Sequence, residues 1–281
     1  MVEARKRKKS KKLFFILPFA VIFGVIAIMY ASVFITGYCF SYHAPDDDMT
    51  DISYILEKEE LTEKDYETLY RQTGLTKIGV DRCLSRGEVG KEKIKSIQES
   101  FFDEYNIRRE FSLNFVCAVY TDKTLEYCYL ENGDVIVSLS TFFTCFNIGH
   151  SGLVTDAGRA GILQSFDYGI ESSVGSISDF LNRPTFIVLS PKADKETKDN
   201  VAKYAAENLT GKDYRFSVGI LTDKNKCEKT QCAHIVWYAY KNFGIDLDDN
   251  GGLTISPKGL ANSEKMDIVQ VFGFDLDKLW K

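Results

Sequence analysis

Histidine is scarce in this chain, three in 281 residues at positions 43, 150 and 234, and no two of them are spaced like a pair of metal ligands. No C-x-x-C pair occurs among the seven cysteines either. A metalloenzyme is therefore disfavoured, and no metal or other cofactor is expected. Internal repeats, low-complexity tracts and wall-binding repeats are absent. A net basic charge is missing from the main body as well: the formal net charge is −5, although a dense basic block runs from Arg5 to Lys12. The remainder is correspondingly acidic, which speaks against nucleic acid as its partner. What is present, 44% hydrophobic and 27% charged residues, is ordinary for a folded globular protein.

Directly after the basic block, Leu13 to Ile35 runs without a charge. At about 1.5 Å per residue a helix of that length crosses a hydrocarbon core of about 30 Å. The positive flank is expected to stay in the cytoplasm, placing everything after about Tyr38 outside. A cleaved signal peptide is the rival reading. The anchor is preferred because the apolar run is long for a signal core and no small-x-small site closes it. Cys39 is a poor lipoprotein site because the bulky Tyr38 precedes it. The expected organisation is a basic cytoplasmic tail over 1–12, a transmembrane anchor over 13–38, a tether over 39–60, a helical region over 61–109 and the main folded domain over 110–281. The tether, polar and carrying Pro45 and Asp46-Asp47-Asp48, is expected to lift the folded part off the bilayer.

Outside the cytoplasm, paired thiols persist as disulfides. If Ser112 to Tyr120 and Leu125 to Leu130 form a hairpin turning at Asp122-Lys123, Cys117 and Cys128 fall opposite each other. Thr62 followed by Glu63, Lys64 and Asp65 reads as a capped helix start, and Gly74 as its stop. Further helices are expected around Val80 to Leu84 and over Lys91 to Glu104, the latter with Ile94, Ile97 and Phe101 on one face. From Glu110 the period changes to two, giving further strands over Val135–Leu139, His150–Thr155, Gly161–Gln164 and Thr185–Leu189. Helices return over Lys195–Asn208 and Cys232–Phe243. That order implies an α+β domain.

Cys232 differs from the other cysteines by position. With Thr230 as cap it lies in the first helical turn, where aligned peptide dipoles push a thiol toward thiolate and its own N–H is free for an oxyanion. Cys227 lies in a Lys-rich loop without that geometry. Among the histidines, His43 sits in the tether, and His234, two positions after Cys232, points away from the thiol. That leaves His150, flanked by Gly149 and Gly152, as the base. A base needs a partner on its far nitrogen, and Gln164 on the next strand is placed to supply it if the two strands are antiparallel neighbours; Asp156, Asp167 and Glu171 are acidic alternatives. Tyr214 is a candidate lining of the substrate cleft, Trp237 reads as core, and Gly133-Asp134 as turn chemistry.

Taken in order, Gly133-Asp134-Val135-Ile136, Gly149-His150-Ser151-Gly152, Gly211 with Tyr214, Cys232, Ile255-Ser256-Pro257 and Leu260-Ala261-Asn262-Ser263 resemble the circularly permuted papain-like hydrolases of the NlpC type, the YiiX/YebB-like group. The resemblance spans about Gln72 to Val271. It implies an α+β fold with an antiparallel sheet packed on helices, in which the histidine strand precedes the cysteine helix. Cys232 would be the nucleophile and His150 the base, while the group's third residue is typically a Glu where this chain has Gln164. Cys232-Ala233-His234 also departs from the Ser and acidic or amide residue that commonly follow the cysteine. The implied activity is amide hydrolysis on the outer face of a cell membrane, first of peptidoglycan stem peptides and second of lipid or acyl-amine substrates. The absent carboxylate motivates a rival from another class, a non-catalytic binding or scaffold protein.

Overall fold

The computed structural model describes residues 2–248 and 250–279. The side chains of residues 2–15, and with them most of the basic tail read over 1–12, lie outside the described residues. The chain opens with one long helix, α1 (Val2–Cys39), in which Ile16–Cys39 is long and apolar enough to cross a membrane. Four shorter helices follow: α2 (Ser53–Leu56), α3 (Glu63–Thr73), α4 (Lys77–Leu84) and α5 (Glu88–Phe102). Thr62 caps α3 reciprocally with Asp65: the Asp65 N–H donates to the Thr62 hydroxyl, and the Asp65 carboxylate accepts the Thr62 N–H at 2.9 Å.

Two antiparallel sheets carry the rest. The smaller has the order β1 (Ile107–Ser112), β2 (Val116–Thr121), β4 (Thr141–Phe143), β5 (Phe146–Asn147). The larger places β3 (Val135–Ser138) and β6 (His150–Asp156) at its centre, next to β7 (Gly161–Gln164) and β8 (Ser173–Ser176) on one side. On the other side lie β9 (Phe186–Pro191) and β12 (Met266–Phe272). The helices α6 (Lys195–Asn208), α7 (Cys232–Lys241) and α8 (Pro257–Asn262) complete the domain, with a two-residue parallel bridge between β10 (Asp213–Tyr214) and β11 (Lys229–Thr230). The architecture is α+β, as the sequence implies.

Strand alternation explains why the large sheet is buried on both faces. Ile136, Val154, Ile162 and Val188 join the core shared with α2 to α5. Val135, Val137, Leu153, Leu163 and Leu189 join the core shared with α6, α7 and α8. Apart from the exposed edge strand β8, each strand feeds alternate side chains into opposite cores.

Two expectations are corrected. The hairpin turning at Asp122-Lys123 does not form: β1 pairs with β2 around Leu113-Asn114-Phe115, setting Cys117 opposite Phe111 and Phe142. The stretch around Cys128 is no strand; it is buried in the helix-side core with the Cys128 N–H donating to Gln270 Oε1 at 2.7 Å. The Cys117–Cys128 pairing therefore falls away, and all seven cysteines are free. Nor does the segment after α1 hold the domain at a distance. Tyr42 packs on Tyr105 and Phe272, the His43 N–H bonds the Gly273 carbonyl at 3.0 Å, and the Thr50 N–H bonds Gln72. Apolar side chains and backbone donors in this stretch find partners on the domain, so it binds there instead of staying solvated.

Candidate active site

Cys232 opens α7. The cap is Gln231, not Thr230: the amide oxygen of Gln231 accepts the Ala233 N–H at 2.8 Å, and its nitrogen donates to the Ile255 carbonyl at 2.6 Å. The longer amide reaches the first turn from one residue nearer, while the Thr230 hydroxyl is bonded to His234 Nδ1 at 2.9 Å. As the first helical residue, Cys232 keeps a backbone N–H with no acceptor inside the helix. Burial nonetheless pushes its thiol up from the usual cysteine range, against the Ser151 N–H and hydroxyl, the Ala233 N–H and the charge of Arg183. The expected drive toward thiolate is outweighed, and the resting group is a neutral thiol. The Ser151 hydroxyl lies within electrostatic reach of the sulfur yet is buried without a hydrogen-bond partner.

His150 is the first residue of β6. Its ring is clamped between Phe166 (centroids 4.8 Å apart) and Phe180 (5.4 Å), both nearly parallel to it. Gly152 makes this possible, since a Cβ there would lie 3.1 Å from the Phe180 ring. With β6 and β7 antiparallel neighbours, Gln164 Oε1 sits 3.1 Å from His150 Nε2. Gln164 Nε2 donates to Asp179 Oδ2 at 2.5 Å. Gly175 on β8 leaves room for that contact, because a Cβ there would stand 2.7 Å from the carboxylate.

Donor logic then fixes the tautomer. Asp179 only accepts, so the Gln164 NH₂ faces it; the amide oxygen faces the ring, so Nε2 carries the proton and Nδ1 the lone pair. The sequence pattern does not reveal Asp179, since its proximity depends on β7–β8 pairing and on the turn Ile177–Asp179. Nor does it reveal Arg183, which is buried among neutral acceptors, 2.9 Å from Thr141 Oγ1, and makes no ion pair among the described residues. Burial, reinforced by Arg183, lowers the His150 pKa to about 3. Imidazole and thiol are thus both neutral at rest.

His150 and Cys232 line one cavity together with Asn114, Thr141, Phe143 and Tyr214. Here the space is small, about 30 Å³, the size of a water molecule. Past Cys232 it continues into a chamber of about 310 Å³ bounded by Phe216, Ile220, Gln231, Ile255, Pro257 and Lys258. Tyr214 lines both parts, and burial together with the neighbouring Cys232 raises its pKa, so it stays a hydrogen-bond donor.

None of the remaining candidates partners His150, although Asp167 lines the small cavity with it. Asp167 accepts from Ser112 and Asn114 (3.3 and 2.9 Å), holding the β1–β2 turn, and Asp156 closes the turn at Arg159. Glu171 is exposed, and neither it nor the two aspartates bonds His150. His234 has both ring nitrogens engaged, with Thr230 and the Lys224 carbonyl. Cys227 is raised to about 11 by burial and is absent from the cleft lining. Trp237 is core. Asp134 is wholly buried in a forked pair with Arg82 (2.6 and 3.1 Å), tying α4 to the start of β3. Folding also brings His43, Asp46 and Asp275 within 4.8 Å of one another, a surface grouping that sequence spacing does not reveal. No family model, curated protein or solved structure matches the chain.

Proposed function

We propose that this chain is a membrane-anchored thiol hydrolase, built on the permuted papain-like plan of the NlpC type and facing away from the cytoplasm, which cleaves an acyl-amide bond. The observation that carries the reading is one cavity wall shared by a helix-tip cysteine and an imidazole whose far nitrogen is fixed by an amide and a carboxylate. His150 Nδ1 takes the Cys232 proton as the sulfur attacks the carbonyl carbon. The tetrahedral oxyanion is met by the Cys232 N–H and the Tyr214 hydroxyl, with Arg183 adding positive potential. Collapse breaks the C–N bond, and the amine leaves with the proton from His150. A water then gives its proton to His150 and attacks the thioester, releasing the acid and the thiol.

Of the two substrate classes expected from the sequence, the lining favours the acyl one. The larger chamber is walled by Phe216, Ile220, Ile255 and Pro257 with Lys258 as its single formal charge, which suits a hydrocarbon chain better than a charged stem peptide. Retention of the anchor is supported by packing: Val33 is buried against Cys117, Val119 and Phe142, a contact that cleavage would strip away. The test is hydrolysis of a long-chain N-acyl-amine and, in parallel, of a muropeptide. Cys232→Ser is expected to lower the acyl-amine rate by at least about a thousandfold with the melting temperature unchanged. A rate unaffected by the substitution would refute Cys232 as the nucleophile, and no turnover of either substrate would leave the scaffold reading.

A further inference from the structure

We infer that one end of the four-stranded sheet is seated in the outer leaflet beside α1, so that the cleft opens onto the bilayer and its substrate enters from lipid. The placement rests on α1 being the membrane span; the route of entry rests in addition on the hydrolase reading. The hairpin β1–β2 does not stand clear of α1 but runs down it. Arg109 donates to the carbonyls of Gly37 and Tyr38, Phe34 stacks on Phe111 at 5.5 Å, and the Tyr30 hydroxyl donates to the Leu113 carbonyl at 3.2 Å. Measured from Lys12, the last charge before the apolar run, Tyr30 lies about 27 Å along the helix axis. A hydrocarbon core of about 30 Å therefore ends near this level. Leu113 is 84% exposed there and Phe111 48%.

Exposed apolar side chains at that depth are satisfied by lipid, and among the described residues no other element covers them. Sheet register extends the surface. Val116 pairs with Phe143, and Phe143 with Phe146, so the Thr144-Cys145 turn and Phe146, 66% exposed, lie at the same end as Leu113. Tyr30 on α1 takes the place of an interfacial aromatic, and Arg109, level with Gly37 and Tyr38, sits higher, at the headgroups. An apolar groove of about 660 Å³ between α1 and the hairpin, reaching from Tyr30 and Phe34 to Phe111 and Leu113, suits an acyl chain of the leaflet. The same sheet end forms a wall of the cleft through Asn114, Val116 and Phe143. A leaflet that covers Leu113 therefore borders the mouth leading to Cys232.

The experiment uses the full chain in phosphatidylcholine vesicles, with a fluorescent label at Leu113→Cys in a Cys39→Ser/Cys145→Ser background, which removes the two exposed thiols. Arg159→Cys, whose side chain is 89% exposed at the end of β6 away from His150, is the aqueous control. Spin-labelled lipid is expected to quench the label at 113 several-fold more than at 159, and aqueous iodide to quench it less. Equal quenching at both positions overturns the seat, with or without turnover. For entry from lipid, Leu113→Asp should lower hydrolysis of a vesicle-embedded acyl-amide about tenfold relative to a short soluble analogue; an unchanged ratio overturns it. Because quenching needs no turnover, a quenched but inactive protein would refute the hydrolase reading alone.

Discussion

The clamped imidazole makes a thermodynamic demand that is open to measurement. His150 has a pKa near 6.5 in an unfolded chain, and in the folded site burial takes it to about 3. Below pH 6.5 the unfolded state binds a proton that the folded state refuses, so stability present above pH 6.5 is lost progressively as the pH falls toward 3. Across that window each pH unit removes about 1.4 kcal/mol. The ring is only 4% exposed, so solvent screening takes little from this figure. Between pH 7.5 and 4.5 the loss from His150 alone comes to about 2.7 kcal/mol, since the unfolded imidazole is only half protonated at pH 6.5. The comparison is with His150→Gln, which is neutral throughout and keeps an N–H for Gln164. Urea unfolding of the full chain in detergent at pH 7.5, 6, 5 and 4.5 gives the difference between the two proteins. Other titrating groups, His234 among them, cancel in that difference. The variant carries a constant offset, and the wild type should fall relative to it by about 2.7 kcal/mol between pH 7.5 and 4.5. A difference that stays flat with pH would refute the buried, neutral imidazole and the geometry built on it.

Gln164→Glu would set two carboxylates where an amide now donates to Asp179 at 2.5 Å. We expect kcat to fall about tenfold and to be recovered largely in Gln164→Glu/Asp179→Asn, where an amide again faces a carboxylate; a double-mutant cycle in kcat with no coupling would contradict this. Burial raises the Cys232 thiol, so at pH 7.5 iodoacetamide should label the exposed Cys39 and Cys145 first, and Cys232 labelling should keep rising beyond about pH 9, as peptide mapping would show. Arg82→Ala strands the wholly buried Asp134 and should cost about 3–5 kcal/mol in denaturant unfolding.

Much of the domain is written locally. The Thr62 cap, the helices α5 and α6, and the strands carrying Val135, His150 and Gly161 all follow from short-range periodicity and end signals, because those elements bury one face or alternate faces in the manner the pattern encodes. The β1–β2 turn is hidden by its own chemistry. Leu113-Asn114-Phe115 offers no glycine, and Phe115 takes a left-handed φ of 62°, while Asp122-Lys123 looks the better turn by sequence. The stretch around Cys128 alternates like a strand but is held by Gln270 and the helices, since its neighbours supply side-chain acceptors instead of a strand edge.

The apolar helix, the α+β order, and the candidates proposed as nucleophile and base are all legible in the amino-acid order, because each depends on spacing within one element or on the scarcity of a residue type. Folding alone places Asp179 behind Gln164, holds both Cys232 and His150 neutral by burial, and lays the domain against α1 instead of letting it hang from a tether. Those three facts share one physical cause. They depend on which surfaces exclude water from one another, and that is set by contacts between residues far apart along the chain.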